Sequence, residues 1–171
     1  SNCHKMHANR FVRRRLSVDE IVAMWQPLLQ AMPDKHWIFT VSPIRHIKDG
    51  LHENQISKAI LLQAIDCLAF NNAAVSYFPS YEIMLDELRD YRFYASDMLH
   101  PSEVAVNYIW QRFTSWAFTP ETLKFAQEWE RTERDLAHRP LNPESDAHKA
   151  FLEKVMARRA QLECERLTVK G

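Results

Sequence analysis

The stretch His36-Trp-Ile-Phe-Thr-Val-Ser42 is apolar or β-branched throughout its centre and is followed at once by Pro43. A short continuous run of this kind, stopped by proline, predicts a strand covered on both faces, as in a parallel sheet. A second apolar run, from Ala73 to Phe78, ends in the same way at Pro79. Two such strands with a helical segment between them predict a parallel pair joined by a crossover helix.

A helix is predicted on each side of the first strand. Ser17-Val-Asp-Glu20 has the pattern of a capping box, and the apolar residues after it recur at helical spacing as far as Pro33-Asp34. Asp49-Gly50 marks a turn, after which a second helix is predicted to end near Asn71-Asn72. The buried stripe predicted for this second helix comprises Ile56, Ile60, Ala64, Cys67 and Leu68.

The second half of the chain shows no strand pattern. A short helix is predicted from Tyr81 to Leu88 and a loop from Asp90 to His100, with Pro101 at the first position of the next helix. Two long, charged helices follow, one beginning at Thr119-Pro120 and one after Pro143. Their apolar stripes predict an antiparallel pair.

Together these patterns predict an α/β protein that is rich in helix. Two strands, with a remnant of a third at Asn2-Cys3, would leave sheet edges unpaired, so we expect the carboxyl-terminal part of a larger α/β domain. On this interpretation residues 1–117 belong to that domain, and residues 118–171 form a helical extension packed on it. The apolar surface bared in such a part predicts a homodimer or a borrowed strand.

Composition argues against several classes of partner. The 171 residues include 22 Lys plus Arg and 22 Asp plus Glu, so no net field draws the chain to nucleic acid or to an anionic membrane. No apolar run approaches the roughly 20 residues of a membrane helix. The basic run Arg13-Arg-Arg15 would grip an anionic substrate, or would simply be solvated, which is the commoner role of such runs.

The same counts argue against bound cofactors. Only two glycines occur, Gly50 and Gly171, so Gly-rich phosphate loops are absent. Cys3-His4 with His7 suggests a metal cluster, but no fourth ligand follows at a zinc-site spacing. We therefore expect neither a metal nor a cofactor. The unpaired cysteines favour a cytoplasmic location for the chain as given.

Asp97 and His100 stand three residues apart, just before Pro101. In a triad hydrolase the imidazole takes the proton of the nucleophile, while a carboxylate fixes the ring's tautomer and stabilises the imidazolium. The alternative is that Asp97 caps the helix predicted at Pro101 and that His100 lies in its first turn. Both interpretations stay open on the residues alone.

Polar side chains also follow the two predicted strands. Arg45 and His46 come after the first strand, and Glu82 comes after the second. Because the carboxyl ends of parallel strands line a ligand crevice, we predict a substrate site here, with Arg45 holding a carboxylate or a sugar hydroxyl. Asn54 and Glu53 would close the loop of His46. Alternatively, His46 and Asn54 shape this loop through hydrogen bonds and Glu82 caps a helix.

Six blocks of sequence, in one order, carry a resemblance to a known family. They are Asn2-Cys-His-Lys5, Phe39-Thr-Val-Ser-Pro-Ile-Arg-His46, Lys48-Asp-Gly-Leu-His-Glu-Asn54, Tyr77-Phe-Pro-Ser-Tyr-Glu82, Leu88-Arg-Asp-Tyr-Arg-Phe-Tyr94 and Asp97-Met-Leu-His-Pro-Ser102. Over about residues 2 to 116 the chain resembles the GSCFA family, a bacterial family grouped with the SGNH hydrolases. The Gly-Ser-Cys-Phe-Ala stretch that gives the family its name does not occur in this sequence.

The resemblance implies part of an SGNH-like three-layer fold with a parallel sheet and a serine nucleophile upstream of this chain. It further implies His100 as general base, Asp97 as the group that orients it, and Asn2 as an oxyanion donor. The expected substrate is a small-molecule or carbohydrate ester, and this chain by itself is expected to be inactive. The rival hypothesis is a non-catalytic interaction module that binds a partner through the charged helices from Thr119 to Leu167.

Overall fold

The structure, a computed structural model, describes residues 7, 10, 12–140 and 144–168. In chain order the elements are α1 (Val18–Ala31), β1 (Trp37–Phe39), α2 (Leu51–Phe70), β2 (Val75–Tyr77), α3 (Ser80–Glu82), α4 (Glu103–Ala117), α5 (Pro120–Ala137) and α6 (Asp146–Thr168). A wider π turn, Ile83–Glu87, continues α3, and single 3-10 turns occur at Ile47–Asp49 and Tyr91–Phe93. The chain divides into two compact units, Ser1–Trp110 and Gln111–Gly171. The predicted division at residue 117 stays a prediction.

Strands β1 and β2 pair in parallel, with Trp37 opposite Val75, Ile38 opposite Ser76 and Phe39 opposite Tyr77. Helix α2 connects them, as the strand–helix–strand pattern predicts. Among the described residues the sheet contains only these two strands, and each is three residues long. The prediction of a helix-rich α/β fold with a parallel sheet is confirmed at this level.

Helices α1 and α2 pack against one face of the sheet. Leu29, Leu68 and Val75 form a buried cluster there, and the Trp25 ring meets Phe39 edge-on with 4.8 Å between ring centroids. Successive strand residues point to opposite faces, so Ile38 lies on the other side, where it is 43% exposed. The expectation that the first strand is covered on both faces is therefore wrong.

The helix starts predicted at Ser17 and at Thr119-Pro120 are confirmed by their caps. The Ser17 hydroxyl accepts from the Glu20 backbone N–H at 3.2 Å while the Glu20 carboxylate accepts from Ser17 at 2.8 Å, which is the predicted capping box. Thr119 likewise caps α5, accepting from the N–H of Thr122 at 3.2 Å.

The helix start predicted at Pro101 is wrong. Pro101 does not open α4, because it forms an antiparallel bridge with Tyr94. The helix begins two residues later, at Glu103. Its first turn is capped by the Ser102 hydroxyl, which accepts from the Ala105 N–H at 3.3 Å.

The buried side of α2 is rotated from the predicted stripe. Ala64 and Leu68 are buried as expected, but Cys67 is exposed. Lys58 and Ile65 are buried instead. The prediction for Cys67 is wrong because α2 turns the side that carries Lys58 and Ile65 inward.

In the second unit α5 and α6 form the predicted antiparallel pair. Arg158 of α6 contacts Thr132 and Asp135 of α5, whereas Arg166, two turns later, lies over the Trp129 ring, earlier in α5. The contacts run in opposite order along the two helices, which is the signature of antiparallel packing.

Candidate active site

Asp97 and His100 lie on a bent loop that precedes α4. The Ala95 N–H donates to the carbonyl of His100 at 2.8 Å, and the Met98 N–H donates back to Ala95 at 2.9 Å. Met98 has a φ of 59°, the only positive value at a non-glycine residue in the described part of the chain. That conformation is sterically unfavourable, so the closing hydrogen bonds must hold the turn. The loop thereby folds back between residues 97 and 100.

The two carboxylate oxygens of Asp97 have different partners. Oδ2 lies 2.6 Å from Nδ1 of His100, while Oδ1 accepts from the backbone N–H groups of Leu99 at 2.9 Å and His100 at 3.0 Å. Hydrogen bonds lower the pKa of Asp97 to about 2. The largest contribution comes from the backbone N–H of His100, followed by the N–H of Leu99 and the imidazole of His100. The carboxylate is therefore ionised at neutral pH.

The ionised carboxylate fixes the tautomer of His100. An ionised carboxylate can only accept, so Nδ1 of the ring carries the hydrogen, and in the neutral ring the lone pair is on Nε2. The His100 side chain is 57% exposed, which leaves the ring open to solvent. A basic nitrogen held in this way is suited to take a proton from a hydroxyl group.

The helix-capping interpretation of Asp97 is wrong for this structure. Its hydrogen bonds go to Leu99 and His100 inside the loop, and α4 begins only at Glu103. Asp97 thus stabilises the loop that carries His100.

Arg45 joins the loop after β1 to the loop of Asp97 and His100. Its backbone N–H donates to the carbonyl of Leu99 at 3.2 Å, and its Nη1 donates to the carbonyl of Met98 at 3.0 Å. The guanidinium also lies over the Tyr94 ring, 5.8 Å from the centroid. The structure therefore places Arg45 against the loop of the predicted base.

His46 and Asn54 contact each other, and Glu82 contacts Tyr77. The Asn54 side-chain oxygen accepts from the backbone N–H of His46 at 3.0 Å, which ties the 3-10 turn to the first turn of α2. Glu82 accepts from the Tyr77 hydroxyl at 2.7 Å and 3.0 Å. Burial and then this carboxylate raise the pKa of Tyr77. The substrate-binding roles of these residues stay predictions, and Asn2 lies outside the described residues.

Lys58 is a buried charge that sequence analysis missed. It is 3% exposed, its Nζ donates to the carbonyl of Ser42 in the loop after β1, and it lies 5.6 Å from the centroid of the Tyr81 ring. Burial lowers the pKa of Lys58. Its helical spacing from Ile65, seven residues later, was the available signal that it faces inward.

The basic run at residues 13–15 is occupied by carboxylates of its own unit. Arg13 pairs with Asp49 at 2.9 Å, Arg14 with Glu20 at 2.6 Å, and Arg15 with Glu53. Within the described ranges we find no cluster of three or more metal-ligating side chains. No helix in the part of the chain that the structure describes is long and apolar enough to cross a bilayer.

Comparison with known proteins identifies the family. The model of the GSCFA family matches residues 1–113, and the model of the GSCFA domain protein, C-terminal domain, matches residues 129–168. No curated protein and no solved structure matches the chain. The first match alone spans more than half of the sequence, and so the chain belongs to the GSCFA family.

Proposed function

We propose that the parent protein of this chain is a serine esterase or acyl-transferring enzyme of SGNH type, with His100 as its general base and Asp97 as the group that orients it. The observation that carries the proposal is the 2.6 Å contact between Asp97 Oδ2 and His100 Nδ1 on an exposed loop. The contact supplies two of the three groups of a hydrolase triad.

In the proposed reaction a serine hydroxyl attacks the ester carbonyl while Nε2 of His100 takes its proton. Asp97 stays ionised and stabilises the imidazolium that forms. Collapse of the tetrahedral intermediate breaks the ester bond, and His100 returns the proton to the leaving alcohol. Water or another hydroxyl then attacks the acyl-enzyme while His100 takes its proton; the acyl–serine bond breaks, the acid or the new ester leaves, and His100 returns the proton to the serine oxygen.

By resemblance, the proposal assigns the serine to a segment before residue 1 of this chain and the role of oxyanion donor to Asn2. Fixed amide donors aimed at developing negative charge lower a barrier by about 3–4 kcal/mol. A carbohydrate ester is the proposed substrate class, by resemblance alone.

The same proposal makes the first unit part of an SGNH-like three-layer arrangement. Parallel pairing of β1 with β2 supports it, as does the cover of α1 and α2 on one face. The other face presents Ile38, 43% exposed, where a further helical layer would pack.

An ester assay with the full-length protein tests the proposal. We expect hydrolysis of 4-nitrophenyl acetate, and we expect His100→Ala to lower kcat by about three orders of magnitude or more, as loss of a triad base does. His138→Ala, an exposed histidine of the second unit, is the matched control and should leave the rate unchanged. Residues 1–171 alone should show no turnover. Equal rates for the full-length protein and its His100→Ala variant would contradict the assignment.

A further inference from the structure

A cavity of about 290 Å³ lies beside the loop of Asp97 and His100. Its lining contains two guanidinium groups, Arg45 and Arg89, one carboxylate, Asp90, and two phenols, Tyr91 and Tyr94. Two apolar side chains of the π turn after α3 complete it. The cavity therefore combines an apolar wall with a small set of polar groups, which is typical of a small-molecule site.

Arg45 differs from the other arginines around it in having no counter-ion. One of its five N–H donors bonds the Met98 carbonyl, and no carboxylate among the described residues lies within 4.0 Å of its guanidinium. The remaining arginines of residues 13–92, by contrast, each pair with an aspartate or glutamate: Arg13, Arg14, Arg15, Arg89 and Arg92. A guanidinium that lines a cavity without a counter-ion favours an anion that joins it there.

Among the charged residues that line the cavity, only Arg45 has no described partner of opposite charge. Arg89 is already paired with Asp86, and Asp90 accepts from the Arg92 backbone N–H at 3.0 Å and lies 3.6 Å from its guanidinium. The Tyr94 hydroxyl makes no hydrogen bond with any described residue. The cavity therefore presents two donors to a ligand: the guanidinium of Arg45 and the hydroxyl of Tyr94, whose ring lies under that guanidinium.

We propose that this cavity binds the carboxylate group of a small organic ligand, with Arg45 as the cation that receives it. A planar guanidinium matches the two oxygens of a carboxylate, and a single unpaired positive charge matches a monoanionic group. Tyr94 lines the same cavity and supplies a further donor. The volume admits a ligand of a few carbon atoms beyond the carboxylate.

The proposal concerns binding and does not depend on ester hydrolysis. Arg45 also holds Met98 and Leu99, next to His100, so a carboxylate in the cavity lies beside the loop of the proposed base. Where both proposals hold, the enzyme favours ester substrates whose acyl or alcohol part carries a carboxylate.

Titration with butyrate, followed by amide chemical shifts at constant ionic strength, tests the proposal. Butyramide, which has the same skeleton without charge, is the matched ligand control. We expect saturable binding of butyrate with shifts centred on residues 84–94 and Arg45, and affinity for butyramide at least tenfold lower. Arg45→Gln should weaken butyrate binding at least tenfold, Tyr94→Phe by a smaller factor, and Arg13→Gln not at all.

Absence of saturable binding, equal affinity for the two ligands, or unchanged affinity in a folded Arg45→Gln variant would overturn the proposal. Loss of binding in Arg13→Gln alone would place the anion in a cavity lined by Arg13, Asp49 and Glu53, and would also overturn the proposal. Arg45→Gln also removes the hydrogen bond to Met98 and could unfold the loop. If that variant does not fold, the proposal is tested by the chemical-shift changes in the wild type and by the affinity of Tyr94→Phe. Shifts away from the lining then count against the proposal.

Discussion

Arg45, in the loop after β1, and Lys58, on α2, hold the loops around the candidate base. Arg45 bonds the carbonyl groups of Met98 and Leu99, and Lys58 bonds the carbonyl of Ser42, three residues before Arg45. The loop after β1 is therefore anchored at one end by a buried lysine and at the other by its contact with the loop of His100. Lys58 therefore supports the loop that carries Arg45.

Replacement of Lys58 tests that role at the level of one residue. We expect Lys58→Ala to lower the free energy of unfolding by about 1–3 kcal/mol, because the buried Lys58 side chain and its partly buried hydrogen bond to the Ser42 carbonyl are lost. Lys48→Ala, at an exposed lysine of the 3-10 turn, should stay within about 0.5 kcal/mol. Urea unfolding measures both variants. Equal effects for the two lysines would show that the Lys58 contact contributes nothing.

At the scale of elements, some of the charged residues of α5 and α6 bind each other across the two helices. Arg158 donates to Thr132 Oγ1 at 2.8 Å and pairs with Asp135, while the Thr132 hydroxyl donates to the Glu128 carbonyl at 2.7 Å. Thr132 is 1% exposed. Side chains that pair α5 with α6 are not free to bind a partner. The interaction-module hypothesis stays a prediction, and it depends on the other exposed residues of these helices.

Arg158→Lys tests whether this contact joins the two helices. A lysine keeps the charge but not the planar fork that reaches Thr132 and Asp135 together, so we expect a loss of about 1 kcal/mol. Amide hydrogen exchange should quicken across 120–137 and 146–168. Arg159→Lys is the matched control, because its ion pairs are exposed and should change exchange by less than about 0.5 kcal/mol. The same quickening in both variants would contradict the assignment.

At the scale of the whole molecule, local caps and the pairing of neighbouring elements could be predicted from the sequence, whereas the closure of one loop and the buried side of one helix could not. The caps at Ser17 and Thr119 depend on residues three positions away, and the Asp97–His100 contact lies within one short loop. Pro101 was misplaced because its bridge to Tyr94 depends on how that loop closes. Lys58 was missed because burial on α2 depends on which side meets the sheet.

The two-stranded sheet has edges that are unpaired in the described part of the chain. Three-residue strands with an exposed Ile38 leave backbone groups that a third strand or a second copy would pair. Homodimer formation stays a prediction, as does the larger three-layer fold. Neither bears on the geometry of Asp97 and His100, which is complete within residues 94–102.

The position of the proton on the His100 ring tests the central claim most directly. Nitrogen-15 chemical shifts of the imidazole, recorded on this chain at a pH where the ring is neutral, distinguish the two tautomers. The Asp97 contact predicts a proton on Nδ1 and a free lone pair on Nε2, and Asp97→Ala should abolish that preference. A wild-type ring protonated on Nε2, or one that matches the Asp97→Ala variant, would contradict the account.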